Sequence, residues 1–354
     1  METLSNNGGR LSLLVHAPNI HQGGGRTLLV ALLRALATNR SARNSMLVLD
    51  ERLKLDDSLA ERLNVVRIPA TPMGRLRAEW KLSRAARNTD LILCLGNLPP
   101  LLPVKAKVIL FLQNYYLVQR KLPVGIPARL RIRLSLERIW LRRGLHRCHS
   151  VVVQSQSMQR QVRSNLGTNA TIAPFVEIPP QSLGPDCEEK IIDYLYVASG
   201  APHKNHRTLV RAWTHLGGEG LYPCLGLTLD SSDCNGLTRW IKNEVAANNL
   251  RIKLLGNLLE AQLEKTYLCS RALIFPSLFE SFGLPLLEAE AYGLPILASE
   301  RDYVRDVISP KATFDPESPI SIARAVKRHM GLPQQKPSVI SAHAFLEKLQ
   351  RSLV

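Results

Sequence analysis

Glu280 and Glu288 stand eight residues apart in FPSLFESFGLPLLEAEAYGLPILAS (275–299), on either side of a Gly-Leu-Pro turn. The apolar run before them reads as a buried strand, and PLLEAEAY after them as a helix closed by Gly293. Glu280 then sits in the loop at the C-terminal end of the strand. Gly283 lets the chain turn, and Pro285 suits the first helical turn. The free NH groups of the helix start make a site for an anion such as a phosphate. Glu288, about one turn into the helix, can accept two vicinal hydroxyls, such as those of a ribose. Carboxylate, phosphate nest and second carboxylate in that order could hold a nucleotide sugar at both ends. Two acids favoured by the helix dipole give the same spacing, so spacing alone leaves both readings open.

These residues need elements to position them, and the sequence alternates strands and helices twice. Strands are expected at 11–17, 46–50, 64–68, 91–95, 107–112 and 150–154, as short apolar runs of the kind found in sheets covered on both faces. Helices fit at 26–39, 75–88 and much of 127–147. Residues 173–189, rich in proline, read as a linker. The alternation restarts with strands at 193–199, 224–229, 252–256, 272–277 and 295–299. Helices fall near 205–215, 237–248, 259–269 and 285–292, and another starts at Ser318-Pro319. The pattern implies an α/β chain of two Rossmann-like domains, 1–180 and 181–330, facing across a cleft with ligands at the strands' C-terminal ends. A helical piece at 338–352 lies in a tail, 331–354, expected to pack back on the first domain.

The 354-residue chain has no apolar run long enough for a membrane span, and its N-terminus lacks the basic start of a signal peptide. Six cysteines without a CxxC pair suit a reducing cytoplasm and argue against a zinc site or a disulfide framework. Charge is distributed unevenly. Residues 1–180 hold 27 Lys+Arg against 10 Asp+Glu, net +17, whereas 181–354 hold 19 of each. Such a field favours an anionic partner for the first half, such as a membrane surface or a lipid-linked phosphate. Nucleic acid is not expected, because no recognition helix is visible and an aromatic content of 5% offers little stacking surface. Within 119–149, nine Lys/Arg accompany one acid. At about 100° per residue its apolar side chains split into two groups. One is Ile126, Leu130, Leu134, Leu141 and Leu145; the other is Ile132, Leu136, Ile139 and Trp140. A simple interfacial helix has one apolar face, so this segment reads as a partly buried helix with arginine-rich margins.

The stretch from IKLLGN (252) to ILAS (299), with the E-x7-E spacing of Glu280 and Glu288, resembles the retaining GT-B glycosyltransferases of the group 1, or family 4, class. YVASGAPHKNHRTLVRAW (196–213) resembles that family's loop with a phosphate-binding lysine. PNIHQGGGRTLLVALLRALA (18–37) resembles its Gly-Gly loop, with Gly23 and Gly24 at the paired glycines. The resemblance implies that Glu280 holds the donor sugar at the reacting face and that Glu288 binds the ribose. It implies that Phe282, Gly283 and Leu284 form the turn approaching the sugar and diphosphate, and that Lys204 neutralises the leaving diphosphate. No Asp-x-Asp sequence occurs, in keeping with the family's metal-independent chemistry, so no cofactor or metal is expected. Two departures stand out. The family's arginine shortly before the lysine is missing, which leaves His203 or a helix start to substitute. Its histidine after the strand KVILFL is replaced by Gln113, beside Asn114, both candidate acceptor-side residues. His16 and His21 flank the glycine loop and read as incidental. The implied function is transfer of a sugar from a nucleotide diphosphate sugar to a lipid-linked or saccharide acceptor in bacterial surface polysaccharide assembly. The expected setting is the cytoplasm, peripheral on the inner face of the plasma membrane. An epimerase or phosphorylase on the same architecture is the alternative, with a basic nucleic-acid-binding protein further behind.

Overall fold

The computed structural model describes residues 12–39, 45–120, 126–177, 190–230 and 235–333. The strands are β1 (Leu13–Ala17), β2 (Met46–Asp50), β3 (Asn64–Ile68), β4 (Leu91–Cys94), β5 (Lys107–Phe111), β6 (Ser150–Val153) and β7 (Thr171–Ile172) in the first unit. The second unit has β8 (Ile192–Tyr196), β9 (Leu225–Leu227), β10 (Ile252–Leu254), β11 (Ser270–Phe275), β12 (Ile296–Ser299) and β13 (Ala312–Phe314). The sheet orders are β3-β2-β1-β4-β5-β6-β7 and β10-β9-β8-β11-β12-β13. Every pairing among them is parallel. Parallel strands need helical crossovers, which cover both faces, so most strand residues are apolar. In β11, SRALIF, five of six residues are buried. Each sheet reverses its order beside its first strand, between β1 and β4 and between β8 and β11. In such sheets the loops diverge there at the C-terminal edge and leave a crevice.

The sequence misses several elements, among them the one-turn helices Asp57–Ala60, Tyr115–Val118 and Asp302–Arg305. β7 and β13 span two and three residues, too short for a period of two to show. The helix Gln156–Leu166 (QSMQRQVRSNL) buries little beyond Met158 and Val162, so its apolar stripe is thin. Its boundaries were nevertheless written in the chain. Met158 N donates to the Ser155 hydroxyl at the N-terminus, and Gly167 closes the helix in the left-handed region. The helix start at Ser318-Pro319 is present as Pro319–His329, with the Ser318 hydroxyl accepting from Ser321 N. The expected tail helix at 338–352 lies outside the described residues. Cys269 is disulfide-bonded, which runs against the expectation that the dispersed cysteines form no disulfide framework: sequence spacing does not report spatial approach. Cys94, Cys148 and Cys224 are free.

The two units meet beside the crevice. The hydroxyl of Ser155 donates to the carbonyl of Ser281 at 2.9 Å. The amide and hydroxyl of Ser157 both donate to Asp306 Oδ2 at 2.6 Å. A carboxylate from the second unit thus serves the N-terminus of a first-unit helix, where the dipole favours it. Arg160 adds a contact to Asp302 at 2.9 Å. Replacing Asp306 by Ala removes the acceptor of two charge-assisted hydrogen bonds and is expected to cost about 1.5–3 kcal/mol of stability. Hydrogen exchange at the Ser157 amide should accelerate in that variant; an amide that stays protected would show that this clamp does not hold the units together.

Candidate active site

At the second sheet's switch point, the loops after β8 and β11 are tied to each other before either meets a ligand. Tyr196, the last residue of β8, is fully buried, and its hydroxyl donates to the Lys204 carbonyl at 2.6 Å. The same hydroxyl lies 3.0 Å from Ser277 Oγ in the loop after β11. Leu278 N donates to the His203 carbonyl at 2.9 Å. Asn205, in the left-handed region at φ 61°, donates to the carbonyls of Pro276 and Pro316 at 3.1 and 2.7 Å. Ser299 and Tyr303 both donate to the Ser277 carbonyl at 2.8 Å. Tyr196, Asn205, Ser277, Ser299 and Tyr303 were not singled out from the sequence, because most of them act on groups far away along the chain.

The ties bring Lys204 and Glu280 together. Lys204 Nζ donates to Glu280 Oε1 at 2.5 Å, with the two side chains 15% and 10% exposed. Three residues on, Gly283 turns the chain at φ +83°, where a Cβ would also come within 3.0 Å of Leu286 Cδ1. The helix Leu284–Ala291 starts there with Pro285 in its first turn. Glu288 projects from it, and its Oε2 accepts from the Tyr267 hydroxyl at 2.7 Å. Tyr267 is in turn stacked on Tyr292 at 5.3 Å. Burial pushes the Glu288 carboxyl above its ordinary range while the Tyr267 hydrogen bond pulls it back.

The first unit closes the crevice from the other side. The helix Gly23–Thr38 opens at the glycine loop. A Cβ on Gly24 would stand 3.3 Å from Leu284 Cδ1, so the two loops face each other at contact distance. Phe282 and Leu284 are buried in one core with Val15, Ile20, Leu28 and Phe111. Gln113 and Asn114 follow β5 on the same edge. Their amides donate to Asn97 Oδ1 at 2.6 and 2.8 Å. Gln113 Nε2 donates to the Leu95 carbonyl at 3.1 Å, and Asn114 Oδ1 accepts from Tyr116 N at 3.0 Å. The polar groups of both residues thus fix this loop. His16 is fully buried, 3.9 Å from Glu79, and held neutral first by burial. His21 lies 3.7 Å from Asp50. Among the described residues no group of three His, Cys, Asp or Glu side chains is placed to hold a metal.

His203 does not supply the cation that the missing arginine would. Its ring is stacked on Phe279 at 4.7 Å, and its Nδ1 is 2.7 Å from the hydroxyl of Tyr116 in the first unit. Burial pulls its pKa down to about 4, against the attraction of Glu280 and with the repulsion of Lys204. The unfolded chain therefore binds more protons than the folded one between about pH 4 and 6.5. Stability from this group is complete above that window and is lost as pH falls through it. Between pH 7 and 5 the loss is about 2 kcal/mol, read as a fall in Tm whose slope against pH is reduced in His203→Gln. A slope identical in the variant would show that His203 is protonated in the fold.

Residues 181–344 match the family Glycosyl transferases group 1. The serotype-specific mannosyltransferase WbdA of Escherichia coli is 29% identical over 144 residues, which are 40% of this chain and 18% of that protein. The O-antigen chain mannosyltransferase B of Escherichia coli is 30% identical over 116 residues, 32% of this chain and 30% of that one. The chain thus spans well under half the length of these relatives. Among solved structures, HepE of Anabaena, determined in complex with UDP and glucose, superposes with a TM-score of 0.63 at 14% identity, covering 90% of each chain. That likeness shows the two-unit fold, GT-B, and the fold alone. The matched stretch, residues 181–344, is less than half of the chain and takes in Lys204, Glu280 and Glu288.

Proposed function

We propose that the protein transfers a sugar from a nucleotide diphosphate sugar to a hydroxyl of a lipid-linked or saccharide acceptor, with retention of configuration, in the assembly of a bacterial surface polysaccharide. The observation that carries this reading is the meeting of Lys204 and Glu280 at 2.5 Å, one turn of chain before the Gly283 helix start and Glu288. A diphosphate entering here takes Lys204 and the NH groups at the start of Leu284–Ala291 as its counter-charge. Glu280, released from the lysine, accepts hydroxyls of the sugar, and Glu288 accepts those of the ribose. Negative charge grows on the diphosphate as the glycosidic bond breaks. A fixed ammonium at that position lowers the barrier more than it tightens ground-state binding. The reading assigns this role to Lys204 rather than to a metal. The E. coli relatives are mannosyltransferases, which supports a hexose as the transferred group. The first half's net charge of +17 supports an acceptor presented at an anionic membrane surface.

Replacing Lys204 by Ala should lower kcat about 100- to 1000-fold, with a smaller change in KM. Glu280→Ala should likewise depress turnover more than donor affinity. Glu288→Ala should weaken donor binding by roughly 2–3 kcal/mol, the scale for lost hydrogen bonds to a charged group. The measurements are steady-state kinetics and thermal shift across UDP, GDP and ADP sugars, with and without EDTA. Wild-type kinetics in all three variants would remove these residues from the site. Loss of turnover in EDTA would end the metal-free assignment.

A further inference from the structure

Two first-unit helices, Pro72–Ala85 and Ala128–Gly144, carry a surface that sugar transfer leaves unused. Both lie on one face of the first sheet. Ala78 and Leu82 of one, and Leu134 and Leu141 of the other, join the core beneath Leu14, Ile92 and Cys94. The helices are neighbours, since Arg75 lies over the Trp140 ring at 5.0 Å. With their inner faces fixed, a rotation of about 100° per residue aims Met73, Leu76 and Trp80 outward from the first. It does the same for Ile132, Leu136 and Ile139 on the second. All six are between 49% and 63% exposed. This agrees with the sequence reading of a partly buried second helix and adds which side is which: one of its two apolar groups is largely buried, and most of the other faces solvent. Scattered exposed apolar side chains are ordinary, but six of them in one layer mark an interaction surface.

The surrounding charge has one sign. Arg77, Arg84, Arg129, Arg131, Arg142 and Arg143 are exposed. The acids of these helices, Glu79 and Glu137, are only 4% and 16% exposed and are paired with Arg75 at 3.3 Å and Arg133 at 2.8 Å. Arginines around a tryptophan and branched aliphatic side chains match a bilayer interface. The guanidinium groups meet lipid phosphates, and the apolar groups enter the headgroup boundary. The first of the two helices begins shortly after the C-terminal end of β3, on the edge of the sheet that carries the glycine loop. We propose that this two-helix surface seats the protein on an anionic bilayer, with Met73, Leu76, Trp80, Ile132, Leu136 and Ile139 inserted among the headgroups. Its use in delivering an acceptor rests on the transferase reading; the contact itself does not.

The test is co-sedimentation of the full chain with vesicles of phosphatidylcholine alone or mixed with phosphatidylglycerol. Binding is expected to the mixed vesicles, with a blue shift of tryptophan emission that is lost in Trp80→Phe. The triple variant Leu76→Ser, Ile132→Ser, Leu136→Ser should partition about tenfold or more weakly while keeping wild-type Tm and donor binding. Undiminished binding by the triple variant would show attachment by charge alone and overturn the proposal. So would failure to bind either vesicle, including the case in which the patch instead binds an acidic protein. Vesicle binding as expected in a chain that binds no nucleotide sugar would sink the transferase reading and leave this surface standing.

Discussion

A lysine from one strand end and a carboxylate from its neighbour share one nearly buried position, and the second unit is built around that meeting. Removing either charge from water is costly, and their contact offsets the cost only if the geometry is held. Lys204 and Glu280 are held by the backbone beneath them. The Tyr196 hydroxyl grips the lysine's own carbonyl and touches Ser277, while Ser299 and Tyr303 secure the Ser277 carbonyl. All of this requires β8 and β11 to be adjacent and parallel, so that both loops leave from the same edge.

The same constraint joins the units. The loop that carries Lys204 also carries His203, which meets Tyr116 of the first unit, and Phe279 packs against both rings. Tyr116 is itself anchored from behind, since its carbonyl accepts from Arg138 Nε and Nη2 at 2.9 and 2.7 Å. Arg138 belongs to the helix Ala128–Gly144, whose outer side bears exposed Ile132, Leu136 and Ile139. A short series of hydrogen bonds and ring contacts therefore links the outer helical layer to the lysine. Burial keeps His203 neutral there, which suits a packing and hydrogen-bonding member of the series and leaves the positive charge to Lys204.

Much of this was legible in the sequence. Alternating apolar runs and helical stretches placed eleven of the strands and the two-unit order, because buried parallel strands leave uninterrupted hydrophobic segments. Gly283, Pro285 and Gly293 wrote the turn, start and end of one helix in local steric terms, and the spacing of Glu280 and Glu288 followed from them. The short strands β7 and β13 were not legible, since two or three residues carry no period. The partners Tyr196, Tyr267 and Ser277 were equally hidden, because nothing near them in the chain signals what they hold.

By itself the sequence determined the local elements, the residue types available at the strand ends and the basic excess of the first half. These depend on backbone sterics, burial pattern and charge count, all of which act over a few residues or over a simple sum. Tertiary structure alone decided which charges meet. Lys204 finds Glu280 across 76 residues, Glu288 leans on Tyr267, and burial, with Phe279 and a tyrosine of the other unit against its ring, keeps His203 neutral. It also decided which of two apolar groups on one arginine-rich helix is buried. The helical period supplies both groups, and only the position of the sheet beneath selects between them.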